Sequence, residues 1–290
     1  MAQQYEANPY PRWVSVGVMR EADFRRMLRG YFPPERLAFL DAPFEVLVAG
    51  CGTGMQAVQA GLEYGPNARV TAIDLSAASL GYASRMAGQF KVGNVEFAQA
   101  DLQNLDSLAP QFLARFQVIE CVGVLHHMAD PLEGWRTLLK CLAPGGLMRI
   151  GLYSSVARRN LTALRSDPAY PGPGCDDEAL RAFRHVLMAR EAERPSLLGA
   201  IADFYTTSQF RDLLLHVSEQ GLTLADIEGF LDREGLNFRG FQLAAESVGR
   251  FRERFPDDAW PGKLANWAEL EAANPYLFLG MYRFWCDRRA

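Results

Sequence analysis

The stretch Glu45-Val46-Leu47-Val48-Ala49-Gly50-Cys51-Gly52-Thr53-Gly54 (EVLVAGCGTG) decides the fold. Its first half is a short apolar run bounded by Pro43 and by glycines, which predicts a strand buried on both faces. Its second half places glycine at every other position, and Met55–Tyr64 then reads as a helix closed by Gly65-Pro66. Glycines at such a junction let backbone approach a ligand without a Cβ in the way and allow φ > 0. The helix N-terminus adds free N–H groups.

Working outward, Arg69–Ile73, Val95–Gln99, Gln117–Val122 and Leu147–Tyr153 read as further strands. Ser76–Gln89 and Pro131–Leu142 read as helices between them. The second carries Leu132, Trp135, Leu138 and Leu139 on one face and stops at Pro144-Gly145-Gly146. Strands alternating with helices over 45–153 predict an α/β sheet of parallel strands with crossover helices. Such sheets hold ligands beyond the carboxyl ends of their strands, near the switch point.

The loop spacing narrows the ligand. A dinucleotide fingerprint needs a third glycine where Met55 stands, and no Lys follows to make a phosphate-binding loop. Asp74 ends the second strand, 20 residues after Gly54. A carboxylate there can accept both hydroxyls of a ribose; its plain alternative is to cap the next helix, which Ser76 also suits. Asp101 ends the third strand in Gln99-Ala100-Asp101-Leu102. It can accept an adenine amine while the Leu102 amide donates to a ring nitrogen; its plain alternative is a turn aspartate.

These features, with Val124-Leu125-His126-His127 after the fourth strand and Leu142-Ala143-Pro144-Gly145-Gly146 before the fifth, resemble class I methyltransferases that use S-adenosylmethionine (SAM). The match covers roughly residues 44–153. The resemblance implies a Rossmann-like doubly wound sheet, mostly parallel with an antiparallel last strand, plus helical insertions. It implies that Gly50, Cys51, Gly52 and Gly54 pack against the methionine part of SAM, that Asp74 with Leu75 holds the ribose, and that Asp101 and Leu102 hold the adenine. Val122, in Cys121-Val122-Gly123, lines the pocket near the sulfonium. His127 sits near the acceptor. His126 and His127 are the candidate bases, with one of the two adjacent residues expected to face the site and His127 preferred; the plain alternative is that His126 packs under the sheet and His127 only shapes the pocket. Two positions depart from the family pattern. Ala49 replaces the acidic residue common before the first glycine, so the SAM ammonium relies on backbone carbonyls. Phe116-Gln117 replaces a common Phe-Asp. Asn8-Pro9-Tyr10-Pro11-Arg12-Trp13, and Asp203-Phe204-Tyr205-Thr206-Thr207 followed by Arg211-Asp212-Leu213-Leu214, are similar to a bacterial methyltransferase subgroup often joined to tetratricopeptide repeats; no repeat of fixed period occurs in this chain.

For the acceptor, methyl transfer needs a lone pair about 3–3.5 Å from the methyl carbon, in line with sulfur. Tyr10, Arg12 and Trp13 form an aromatic and cationic cluster that can fold back as a lid, or else dock as an arm anchored by Trp13. Tyr153, Tyr205 and Arg211 are the candidates for acceptor contact, set against a packed helix with a surface arginine. His185 and His216, on predicted helices, read as structural, and Trp260, Trp267 and Trp285 read as core. The expected organisation is an N-terminal arm and helix over 1–40, a SAM-binding core over 41–153, a helical insertion over 154–220, and the end of the sheet over 221–290. That last part has strands near 237–243 and 278–286 and a helical insertion at 245–275.

Composition excludes some classes. Net charge is −4 over 290 residues, which argues against broad electrostatic binding to nucleic acid or anionic membrane. Five cysteines form no CxxC pair and no zinc-ligand spacing, which suits a reducing, cytoplasmic setting, and no metal is expected. The first residues do not read as a signal peptide, and no apolar run approaches ~18 residues. The expected partner is a small-molecule or peptide acceptor, methylated on O or N with release of S-adenosylhomocysteine. Helices over 245–272 offer a surface for an oligomer. Two other readings compete: a non-catalytic module that keeps SAM or its product, and an NAD(P)-dependent oxidoreductase.

Overall fold

The computed structural model describes residues 6, 9–105, 110–193, 204–216 and 218–289. Asn8 and Asp203 of the quoted flanking motifs lie outside them. Seven strands form one sheet in the order β3-β2-β1-β4-β5-β7-β6. They are β1 Phe44–Ala49, β2 Ala68–Asp74, β3 Val95–Gln99, β4 Phe116–Val122, β5 Leu142–Leu152, β6 Leu236–Phe241 and β7 Tyr282–Arg288. The first five run parallel, and β7 lies antiparallel between β5 and β6. The sheet reverses its winding between β1 and β4, which opens the crevice where ligands bind such folds.

Period-two alternation distributes the core. Val46 and Val48 of β1 pack on one face with Val70, Val118, Leu147 and Trp285. Leu47 and Ala49 pack on the other with Ile119, Trp135, Met148 and Ile150. Helices cover both faces: α1 Glu21–Leu28, α2 Met55–Glu63, α3 Ala77–Gln89 and α4 Pro131–Cys141. Their starts follow from short polar side chains. Ser76 accepts from the Ser79 amide at the head of α3, and Asp130 accepts from Leu132 and Glu133 at the head of α4. Trp267 and Trp285 are fully buried, as the sequence predicts.

Between β5 and β6 the chain leaves the sheet as α5 Arg159–Ala163, α6 Asp177–Glu193 and α7 Thr207–Leu215, then returns through α8 Leu224–Arg233. This excursion has its own small core, built from Leu180, Phe183, Phe204, Phe210 and Leu214 among others. It closes on itself where Ser154 bridges to Leu222. Helices α9 Ala245–Arg254 and α10 Leu264–Ala273 separate β6 from β7. The last strand starts at Tyr282, four residues later than the sequence suggests: Phe278 packs against Phe241 from a turn rather than from the sheet. Strand five starts earlier than expected, at Leu142. The Ala143–Gly146 segment is accommodated as an irregularity in the register with β4, with Gly145 at φ +75°. Among the described residues no helix is long and apolar enough to cross a membrane.

Candidate functional site

A cleft of about 550 Å³ opens beyond the carboxyl ends of β1, β2, β4 and β5. One wall is the glycine loop. The Gly50 and Cys51 amides both donate to the Ile73 carbonyl, at 2.8 and 2.9 Å, which turns the chain sharply off β1. Gly50, Gly52 and Gly54 all have positive φ. Two of them show why glycine is needed. A Cβ on Gly52 would lie 2.6 Å from the Tyr10 carbonyl oxygen, and one on Gly54 would lie 2.5 Å from the Ala83 Cβ.

Asp74 faces this loop. Its carboxylate accepts from the Gly52 amide at 2.7 Å and from the Ser76 amide at 2.9 Å. Burial raises its pKa above the ordinary aspartate value, against the pull of those two amides. Asp101 caps a short turn, accepting from the Gln103 amide at 2.9 Å and the Asn104 side chain at 3.1 Å. It therefore fills the turn role that the sequence offered as its alternative, and it also lines the cleft.

The cleft brings together Gly50, Cys51, Gly52, Asp74, Leu75, Asp101, Leu102, Val122, His127, Tyr10 and Tyr153. Gly54 is not at its surface; it packs α2 against α3. Burial pushes the Cys51 thiol up, so it stays protonated as a packing residue.

Four expected acceptor contacts lie elsewhere. Trp13 is buried against Tyr82 and Phe90 and donates Nε1–H to the Thr53 carbonyl at 3.1 Å, so it anchors the arm. The arm crosses the glycine loop, where the Thr53 amide donates to Tyr10 at 3.2 Å and the Thr53 hydroxyl donates to the Pro11 carbonyl. Arg12 is exposed outside the cleft. Tyr205 is 58% exposed. Arg211 is held by the Cys175 carbonyl and the Asp177 carboxylate, both at 2.9 Å, inside the insertion. Helical periodicity could not distinguish a residue facing the cleft from one facing the insertion's own core.

At the far end of the cleft, His127 sits in a turn, Leu125–His127, directly after β4. Its Nδ1 lies 3.0 Å from the Ser218 carbonyl, which fixes the proton on Nδ1 and leaves the Nε2 lone pair. Burial pulls its pKa down to about 4, so it is neutral and a weak proton acceptor at physiological pH. This weakens the base role suggested by its position. His126 is fully buried and stacks on Tyr153 with centroids 3.6 Å apart. Arg158 covers the Tyr153 ring at 3.8 Å, and it pairs with Glu219 at 2.5 and 3.0 Å.

Sequence reasoning passed over several residues of the cleft. Arg149 lines it and binds the buried Glu120 at 3.1 Å; Glu120 also accepts from Gln56 at 2.6 Å and Tyr64 at 2.8 Å. A charged residue inside each of two predicted strands, Glu120 and Arg149, was the available signal. Asp212 was missed as well.

The Methyltransferase domain family model matches residues 41–191. A protein of a Synechococcus strain is 30% identical over 209 residues, 68% of this chain and 48% of that protein. The ubiquinone biosynthesis O-methyltransferase of Idiomarina loihiensis is 35% identical over 136 residues, 44% of this chain and 51% of that enzyme. Among solved structures, PKMT2 from Rickettsia typhi in complex with AdoHcy is similar with a TM-score of 0.59 at 15% identity. That match covers 97% of this chain and 55% of the other. The chain spans about half the length of the curated relatives it matches. With its sheet order, its glycine loop and a family model matching more than half of its length, the chain belongs to the methyltransferase-domain family.

Proposed function

We propose that this chain binds SAM in the cleft and transfers its methyl group to an oxygen or nitrogen of a small molecule or peptide. The observation that carries the reading is the placement of Asp74. A half-buried carboxylate at the end of β2 faces the cleft beside the glycine loop, with Asp101 and Leu102 one strand further out. In this reading Asp74 accepts the ribose hydroxyls. Leu75, Asp101 and Leu102 hold the adenine side, while Gly50, Cys51 and Gly52 hold the methionine part with backbone groups.

Val122 then borders the sulfonium, and Tyr10, Tyr153 and His127 border the acceptor. Transfer is an in-line displacement: the acceptor lone pair forms the new bond to the methyl carbon as the carbon–sulfur bond breaks. The chain supplies alignment and exclusion of water. His127 borders the acceptor as a neutral ring and does not retain the acceptor's proton, which passes to solvent after transfer. The sequence Asn8–Trp13 supports the bacterial subgroup often joined to tetratricopeptide repeats, and its Tyr10–Trp13 part serves as a strap over the glycine loop rather than as an acceptor-binding lid.

Calorimetric titration with S-adenosylhomocysteine, with NAD and NADP as controls, tests the cofactor assignment. Micromolar binding of the first, weakened by Asp74→Ala, is expected. Binding of the dinucleotides alone would overturn the reading.

A further inference from the structure

His127, Asp212 and His216 come from two distant parts of the chain, yet one ligand atom of each lies within 4.8 Å of the other two. All three are buried: 3%, 4% and 2% exposed. His127 and Asp212 line the cleft. Asp212 lies in the second half of α7, and His216 directly follows its last residue, Leu215. We propose that these three side chains form a binding site for a divalent transition-metal ion at the acceptor end of the cleft.

Backbone groups of Ser218 hold both rings. The His127 Nδ1 faces the Ser218 carbonyl at 3.0 Å and carries its proton there, so its Nε2 is the lone-pair nitrogen. The His216 Nδ1 faces the same carbonyl and also accepts from the Ser218 amide at 3.1 Å. Backbone carbonyls orient metal-binding imidazoles in this way. The two rings stack with centroids 3.7 Å apart and an interplanar angle of 27°. Glu219 pairs with both nearby guanidiniums, Arg158 and Arg165, and offsets one of their two charges; the Asp212 carboxylate also acts on Arg158.

Two imidazoles and one carboxylate suit zinc, iron, cobalt or nickel and leave coordination positions open. A shared ion would stand about 2.0–2.2 Å from each donor. Open positions of an ion held beside His127 and Asp212 would border the cleft, which both residues line. On the methyltransferase reading, on which this clause rests, they receive an acceptor oxygen and make up for the weakness of His127 as a base.

The test uses the full chain, freed of metal by a chelator and titrated with Co²⁺. The visible d–d absorption and the bound metal per chain are read, with Zn²⁺ as competitor. One ion per chain is expected. His216→Ala and Asp212→Asn should each weaken binding by more than the roughly 10–100-fold that loss of an outer-shell partner costs. His185→Ala, on the exposed face of α6, should bind as the parent does. Co²⁺ should also raise the melting temperature of the parent, a readout that does not depend on any variant folding. His216→Gln stands in if the alanine variant unfolds. No cobalt spectrum, or equal binding by parent and triad variants, would overturn the site. S-adenosylhomocysteine titration of the same samples separates the two claims. Cofactor binding without metal binding sinks only the metal site, and the reverse sinks only the methyltransferase reading.

Discussion

Gly54→Ala and Gly81→Ala are the same chemical change at two places in one α/β unit, and they should have opposite effects. Gly54 sits at φ +86°, where a residue with a Cβ pays roughly 1–2 kcal/mol. Its new methyl would stand 2.5 Å from the Ala83 Cβ and 2.9 Å from the Ala83 Cα. Neither is the end of a flexible side chain, so α2 and α3 must separate, an overpacking cost of about 1–3 kcal/mol. The expected loss is about 2–5 kcal/mol. Gly81 lies inside α3 on its exposed face, and the nearest atom to a new Cβ is the Arg85 guanidinium at 3.9 Å. Alanine there should stabilise by about 0.5–1 kcal/mol through lower chain entropy in the unfolded state. Urea unfolding of both variants, followed by far-ultraviolet dichroism and by tryptophan fluorescence, measures the difference. If Gly54→Ala unfolded at the same urea concentration as the parent, the loop would not be held as described.

Affinity for S-adenosylhomocysteine should fall on acidification at a pH above the ordinary aspartate value of 3.8, because burial raises the Asp74 pKa and the ribose needs the ionised form; titrations across an acid series follow it, and an affinity unchanged down to that value would count against Asp74. Glu219→Gln leaves Arg158, itself 5% exposed, without its buried counter-charge, which should cost about 3–5 kcal/mol in a urea melt; a change below 1 kcal/mol would show the pair to be solvent-screened. Tyr205→Ala should change neither cofactor affinity nor methyl transfer, since the side chain is 58% exposed and outside the cleft; a loss of transfer at unchanged stability would return Tyr205 to the acceptor site.

The parts of the fold legible in the sequence were those set by local chemistry. The run Glu45–Ala49 is a strand because both its faces are buried, and Asp130-Pro131 starts a helix because the side chain caps it. The glycine loop and Asp74 could be placed because they act at fixed offsets from strand ends. What depended on distant packing was not legible. Trp13 had no visible partner until Tyr82, Phe90 and Thr53 closed around it. Arg211 looked available until Asp177, 34 residues away, took it up. His216 read as structural because it lay on a predicted helix, whereas the helix ends at Leu215 and His216 stacks on His127, far off in sequence. Strand β7 was placed four residues early because Phe278 is as apolar as a strand residue while packing from a turn.

A crystal structure of the chain with S-adenosylhomocysteine tests the central claim most directly. The account predicts the ligand along the carboxyl ends of β1, β2 and β4, with both ribose hydroxyls within hydrogen-bond distance of the Asp74 carboxylate and the adenine beside Asp101 and Leu102. The sulfur should point towards Val122 and the end of the cleft where His127 lies. A ligand bound elsewhere, or lying in the cleft with its ribose away from Asp74, would contradict it.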